Sequence, residues 1–160
     1  MATQSCKCGF RGDRLRACRC TPREVDEYRS RISGPLLDRI DLHVEVPAVP
    51  NADLFGPFKD GGEPSAQVRE RVQAARERQQ QRSGVANFRL GSKQIEQVCA
   101  LDDDNRRLLE LAMQRLSLSA RAAHRILKVA RTVADLDGAE RIGGAHLSEA
   151  IQYRCLDRGR

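Results

Sequence analysis

Leu118-Ser-Ala-Arg-Ala-Ala-His-Arg-Ile-Leu-Lys-Val-Ala-Arg-Thr-Val-Ala-Asp-Leu136 is the most regular stretch of a 160-residue chain. Ala123, Ile126, Leu127, Ala130, Val133 and Ala134 recur at helical spacing, which puts them on one face of an α-helix. Arg121, Arg125, Lys128 and Arg131 fall on the opposite side, with His124 beside them. Leu118-Ser119 is a break that supplies a new N-cap and Gly138 is a stop, so the helix spans 120–137. An apolar stripe of this width has to be covered by other elements.

Those elements lie on both sides. Toward the C-terminus, a helix over 144–154 offers Leu147, Ala150 and Ile151. Toward the N-terminus, Asp102, Asp103 and Asp104 favour a helix start by capping and dipole, and Leu108, Leu109, Ala112, Met113 and Leu116 form that helix's apolar face. A short helix over 95–101 carries Cys99, read as a small buried apolar residue. Residues 87–90 connect it to a longer helix that Ser65 caps, with Val68, Val72 and Ala75 inward and Ser83-Gly84 at its end. Residues 65–155 therefore read as a bundle of four to five helices, followed by a tail at 156–160.

Upstream the character changes. Pro50, Gly56, Pro57, Gly61, Gly62 and Pro64 punctuate residues 48–64, which makes 51–64 a linker and places the domain boundary there. Before it stands Ser33-Gly-Pro-Leu-Leu-Asp-Arg-Ile-Asp-Leu-His-Val-Glu-Val-Pro47. Leu42, Val44 and Val46 alternate with His43 and Glu45, the period of a strand with one or both faces buried, and Pro47 closes it. Arg39 falls at the mouth of that strand. Thr21-Pro-Arg-Glu24 is a capping box with proline at the first helical position, so a short helix runs to about residue 32 and stops at Gly34-Pro35.

Residues 6–20 carry four thiols as two Cys-x-Cys pairs, Cys6/Cys8 and Cys18/Cys20. Four thiolates on two short knuckles suit a tetrahedral structural zinc, which would order a loop with little core of its own. Arg11, Arg14, Arg16 and Arg19 offset the thiolate charge. Reduced thiols or an adventitious disulfide are the plainer alternatives. A catalytic zinc is not expected, because four thiolates close the shell and no constellation of histidines or carboxylates accompanies them.

The chain has 28 basic and 22 acidic residues and a formal charge of +6, which suits a phosphate-rich partner as well as a solvated helical surface. Aromatic residues make up 4 % and tryptophan is absent, so stacking platforms for single strands are not evident. No run of apolar residues is long enough to span a membrane, and the first residues lack the pattern of a signal peptide; a cytoplasmic, reducing setting follows. The phosphate-loop, dinucleotide, nucleophile-elbow and zinc-protease motifs are all missing, so the chain by itself cannot hydrolyse a nucleotide by the phosphate-loop route. His43, His124 and His146 are isolated in sequence. Arg39 and Arg121 remain as candidates for stabilising charge across an interface, although on the residues alone each is more often a surface ion-pair partner.

Residues 33–47 and 118–136 together resemble the C-terminal part of the magnesium-chelatase-like AAA+ ATPases, within these the ComM/YifB competence-protein branch. The cysteine knuckle and Ala145-His-Leu-Ser-Glu-Ala-Ile-Gln-Tyr-Arg154 fit the same branch, so the similarity runs from Cys6 to Arg154. The resemblance implies a mostly α chain. Residues 1–50 would be the C-terminal end of an α/β AAA+ core (one strand, a short helix and a Cys-rich loop), and 65–155 the helical lid. It implies a homo-oligomeric ring, a hexamer, with nucleotide between subunits. In such families the arginine of Leu-Leu-Asp-Arg is a finger that reaches a neighbour's γ-phosphate, here Arg39. The arginine after Leu-Ser-Ala is the sensor-2 residue of the lid, here Arg121. Both are credible physically, since a fixed guanidinium neutralises charge spreading over the γ-phosphoryl oxygens.

ATP and Mg²⁺ would be bound only together with a core or neighbouring subunit that holds the phosphate loop. The ComM-type relatives are linked to DNA uptake and recombination as helicase-like motors, which makes DNA a candidate partner. Relatives also have Asn-Pro before the first cysteine, the Asn being sensor 1, and Cys-Pro-Cys after it; here Gln4-Ser5 and Lys7 stand at those places. The expectation is a C-terminal fragment that is inactive alone and supplies the finger and the lid to an assembled site. Two other readings stand beside it. One is a zinc-stabilised DNA- or protein-binding module without ATPase function; the other is a gene remnant whose strand at 40–46 lacks its sheet.

Overall fold

In the computed structural model of the chain, the described residues are 2–13, 16–47, 49 and 62–154. Most of the linker read at 51–64, the tail at 156–160 and Arg14 lie outside them. The described residues fall into two units, one within Met1–Arg39 and Glu45–Asp60, the other within Ile40–Val44 and Gly61–Arg160.

In the first unit, Thr21 caps α1 (Pro22–Ser30) as its sequence requires. The Glu24 amide donates to Thr21 Oγ1 at 3.3 Å and the Thr21 amide to Glu24 Oε2 at 2.9 Å. This reciprocal pair satisfies donors that a helix start otherwise leaves unpaired. The helix ends at its C-cap Arg31. Gly34-Pro35 does more than break the chain: it opens a one-turn helix, α2 (Gly34–Leu37), in whose first turn a proline loses no hydrogen bond.

The strand expected at 40–46 is not formed; the described residues contain no β-ladder. The segment carries no regular structure and its alternation is not realised, since of residues 42–46 only His43 is buried. His43 is buried at 4 % exposure, while Leu42, Val44 and Val46 are 47 %, 66 % and 85 % exposed. The reason is the lack of a second strand among the described residues. The His43 amide donates instead to the Tyr153 carbonyl at 2.7 Å, and 40–44 belong to the helical unit.

The second unit is the expected bundle. Its described residues form five α-helices, α3 (Ser65–Ser83), α4 (Ser92–Val98), α5 (Asp103–Leu116), α6 (Ala120–Leu136) and α7 (Gly144–Gln152), with a 3₁₀ turn at Asn87–Arg89. α6 is the hub: it packs on α3, α4, α7 and the 3₁₀ turn, and α5 packs on α7. Ile126, Ala130 and Ala134 of α6 are buried in one core with Leu109, Ile142 and Leu147. Full burial of a leucine or isoleucine stabilises by roughly 1.5–3 kcal/mol, so this face explains why the helices associate.

The caps follow the sequence. Asp102 Oδ1 accepts from the Asn105 amide at 2.8 Å, and Ser119 Oγ from the Ala122 amide at 3.1 Å. Ser117 (φ 50°) separates α5 from α6, and Gly138 (φ 72°) follows α6, a left-handed conformation that favours glycine. Where glycine stands at the N-cap, only the return half of the capping box is made. The Gly91 amide donates to Gln94 Oε1 at 3.0 Å, and the Gly143 amide to His146 Nδ1 at 2.9 Å. α3 departs from expectation. It starts after Pro64 without a side-chain cap, Val72 is half exposed, and the buried positions are Ala75 and Gln79.

Candidate functional site

Two glycine turns bring the four cysteines of the first unit together. Gly9 has φ 81° and its amide donates to the Cys6 carbonyl at 3.1 Å; Gly12 has φ 86°. The Arg16 amide donates to Asp13 Oδ1 at 2.9 Å, which turns the chain back toward Cys18. The sulfurs of Cys6, Cys8, Cys18 and Cys20 then lie within 4.8 Å of one another. Sγ–Sγ separations are 3.4 Å for Cys6–Cys8, 3.6 Å for Cys6–Cys18 and 3.5 Å for Cys8–Cys18, and none of the four is in a disulfide. Thiolates at about 2.3 Å from a tetrahedral zinc are about 3.8 Å apart, so these edges fit such an ion to within a few tenths of an ångström.

The electrostatics point the same way. The backbone amides of Phe10 and Arg19 hold the Cys8 thiol down to about 6. For Cys20, the Cys8 amide also lowers the pKa, but the Cys8 thiol, burial and the Cys6 and Cys18 thiols outweigh it and push Cys20 up to about 12. One thiol is primed to ionise and another is prevented from doing so by its neighbours. A divalent cation at the centre would remove that conflict and bind all four as thiolates. Lys7, Arg11, Arg16 and Arg19 are exposed around the cluster, and the Arg16 guanidinium lies 5.2 Å from the centroid of the Phe10 ring. The other cysteine in the described residues, Cys99, is buried in the bundle, and burial pushes its thiol up to about 11; it is packing, as read.

Arg39 stands in the turn after α2, its amide donating to the Leu36 carbonyl at 3.0 Å. Its side chain is exposed and makes no ion pair among the described residues. Arg121 is in the first turn of α6, likewise exposed and without an ion pair there. The two belong to different units. The other arginines of α6 have partners: Arg125 pairs with Asp41, and Arg131 with Asp135 at 3.0 Å.

Arg131 corrects the sequence reading, which set it on the polar side beside Arg121. It is 1 % exposed, with Nη1 donating to the Glu140 carbonyl at 2.9 Å and Nη2 to the Ala139 carbonyl at 2.6 Å. Asp135, also buried, is the centre of this network. Arg82 donates to both its oxygens, at 2.6 and 2.8 Å, and Asn87 Nδ2 to Oδ2 at 2.8 Å. Burial alone would raise the Asp135 pKa, but the bonds from Arg82 and Asn87 and the charge of Arg131 more than offset that and lower it. The network ties α3 and the 3₁₀ turn to α6. Its one sequence signal was the Arg131/Asp135 pair at i,i+4 beside the apolar stripe.

Comparison with known proteins adds the following. Residues 62–154 match the family model described as magnesium chelatase, subunit ChlI C-terminal, and residues 1–54 match magnesium chelatase, subunit ChlI. The chain is 49 % identical over 140 residues to the competence protein ComM of Haemophilus influenzae, covering 88 % of this chain and 27 % of that protein. It is 46 % identical over 140 residues to the YifB protein of Salmonella typhimurium, covering 88 % and 28 %. With an uncharacterised protein of Mycobacterium tuberculosis the identity is 33 % over 141 residues, covering 86 % and 27 %. The chain thus spans about a quarter of the length of the curated relatives it matches. No helix among the described residues is long and apolar enough to cross a membrane.

Proposed function

The chain belongs to the magnesium chelatase family, subunit ChlI, and on that premise we propose that it supplies the arginine half of an ATP site in a ring of same-family AAA+ subunits. Arg39 is the finger that reaches the γ-phosphate held by a neighbouring subunit. Arg121 is the sensor-2 residue of the lid and touches a nucleotide phosphate. The observation that carries this reading is the division among the arginines. These two are exposed and without ion pairs among the described residues, whereas Arg125 and Arg131 on the same helix as Arg121 are used to hold structure.

The position of Arg121 supports the same role. The first turn of a helix is its positive end, where a cation is unfavourable unless an anion joins it. A phosphate at that place supplies the anion. ATP and Mg²⁺ are bound only with a phosphate loop contributed from outside this sequence, which has none. Residues 1–50 act as the end of the core, 51–64 as a linker and 65–155 as the lid. The ring is a hexamer working in the cytoplasm. Its substrate is DNA, moved in a branch-migration, helicase-like manner; the name of the competence relative and the charge of +6 support that. The four cysteines hold a structural zinc.

The test is ATP hydrolysis by the isolated chain. No turnover above a buffer blank is expected, and measurable turnover overturns the reading. Salt-sensitive DNA binding by the isolated chain with no response to nucleotide would favour a zinc-stabilised binding module instead.

A further inference from the structure

Ile40–Val44 are held by the helical unit through three contacts. Arg154, wholly buried, donates from Nη1 to the Ile40 carbonyl at 2.6 Å. Arg125 pairs with the Asp41 carboxylate. The His43 amide donates to the Tyr153 carbonyl at 2.7 Å, and the His43 ring is itself buried. These partners come from α6 and from the end of α7, 84 and 114 residues away for the two arginines. A buried guanidinium is costly unless its surroundings are fixed, so the use of Arg154 on one main-chain carbonyl marks the place of that carbonyl as specified.

The segment held in this way begins one residue after Arg39, and consecutive Cα atoms are about 3.8 Å apart. Arg125, which grips Asp41, is one helical turn beyond Arg121 on α6. One helix therefore carries the candidate sensor and, a turn later, the handle of the candidate finger.

We propose that Arg125 and Arg154 are positioning residues that clamp Ile40–Val44, the backbone that directly follows Arg39, onto the helical unit. The inference rests on the finger and sensor reading of Arg39 and Arg121. Neither arginine touches nucleotide; each acts on the backbone that directly follows Arg39, and losing one charged contact of this kind typically costs on the order of tenfold.

Amide exchange of the full chain, followed by NMR, tests the clamp directly. The His43 amide is expected to be protected, and to exchange about tenfold faster in Arg125→Ala and in Asp41→Arg. The doubly exchanged variant, Asp41→Arg with Arg125→Asp, is expected to recover protection, which loss of packing alone would not do. Core amides such as that of Ile126 report whether the bundle stays folded. Arg154→Ala is expected to act more strongly, and if it unfolds the core the Arg125 and Asp41 variants decide. Unchanged His43 exchange in Arg125→Ala overturns the clamp.

A second arm reads what the clamp does for the Arg39 segment. The chain is mixed with a full-length ComM-type relative whose own finger arginine has been replaced, and ATP hydrolysis is followed. Wild-type chain is expected to restore turnover, Arg125→Ala to restore about tenfold less, and the charge-exchanged pair to recover it. Full restoration by Arg125→Ala overturns the positioning role. Failure of the wild-type chain to restore any turnover overturns the finger reading itself, and the exchange experiment alone then decides the clamp.

Discussion

Between Cys6 and Cys20 the chain buries one of its described residues, Cys6 itself, whereas between Leu90 and Ala150 ten apolar residues close into one core. Among its described residues the cysteine loop has turns, exposed arginines and four converging sulfurs, but no apolar interior to hold them. The bundle has an apolar interior and, at its edge, a buried carboxylate satisfied by Arg82, Asn87 and Arg131. With the proposed zinc, the first region would depend on what binds its sulfurs, while the second depends on burial, so conditions that destroy one should leave the other.

The largest effect is expected from removing the proposed zinc. Structural zinc in small peptides is worth about 10–16 kcal/mol, far more than a loop of this size can recover by packing. A strong chelator, or Cys6→Ser with Cys18→Ser, should abolish amide protection over 2–20 while the helical circular dichroism of the bundle stays. Metal analysis of untreated chain should give one zinc per molecule. Loss of the bundle signal along with the loop would break the contrast.

The converse experiment attacks the bundle. Asp135→Ala leaves Arg131 buried without its counter-charge, and such losses cost about 3–5 kcal/mol. Urea unfolding should show that loss while zinc content is unchanged. The same residue sets an acid limit. Its folded pKa is lowered, chiefly by Arg82 and Asn87 against the opposing effect of burial, so its contribution is present above the unfolded value near 3.9. Stability should fall as pH drops below about 4 and through the lowered folded pKa, and Asp135→Asn should flatten that fall.

The smallest effects should come from the arginines assigned to phosphate. Arg39→Ala and Arg121→Ala, both at exposed positions, should change unfolding free energy by no more than about 0.5 kcal/mol. Any change at Arg121 should be a gain, because a cation leaves the positive end of α6. A large loss in either variant would place that residue with Arg125 and Arg131 as structural.

The bundle was legible because its signals are local. The spacing of Ala123, Ile126, Ala130 and Ala134, the caps Asp102 and Ser119 and the stop at Gly138 all lie within one helix length of what they determine. The two Cys-x-Cys pairs were legible for the same reason. The Asp135 network was not, since Arg82 lies 53 residues from Asp135 and Asn87 lies 48 away, and no period records such pairings. The segment at 40–46 misled for a different reason. Alternation predicts a covered face only where a sheet is there to cover it, and here His43 alone is buried while Leu42, Val44, Glu45 and Val46 are exposed. Gly34-Pro35 read as a break because proline ends helices, although it is also at home in the first turn of a new one.

Whether this chain carries half of an ATP site is decided most directly by turnover in mixed assemblies. A full-length relative lacking its finger arginine is assayed alone, with wild-type chain, and with Arg39→Ala chain. Hydrolysis restored by the wild-type chain and lower by about 10³-fold with Arg39→Ala is the predicted result. Equal restoration by both chains, or none by either, would contradict it.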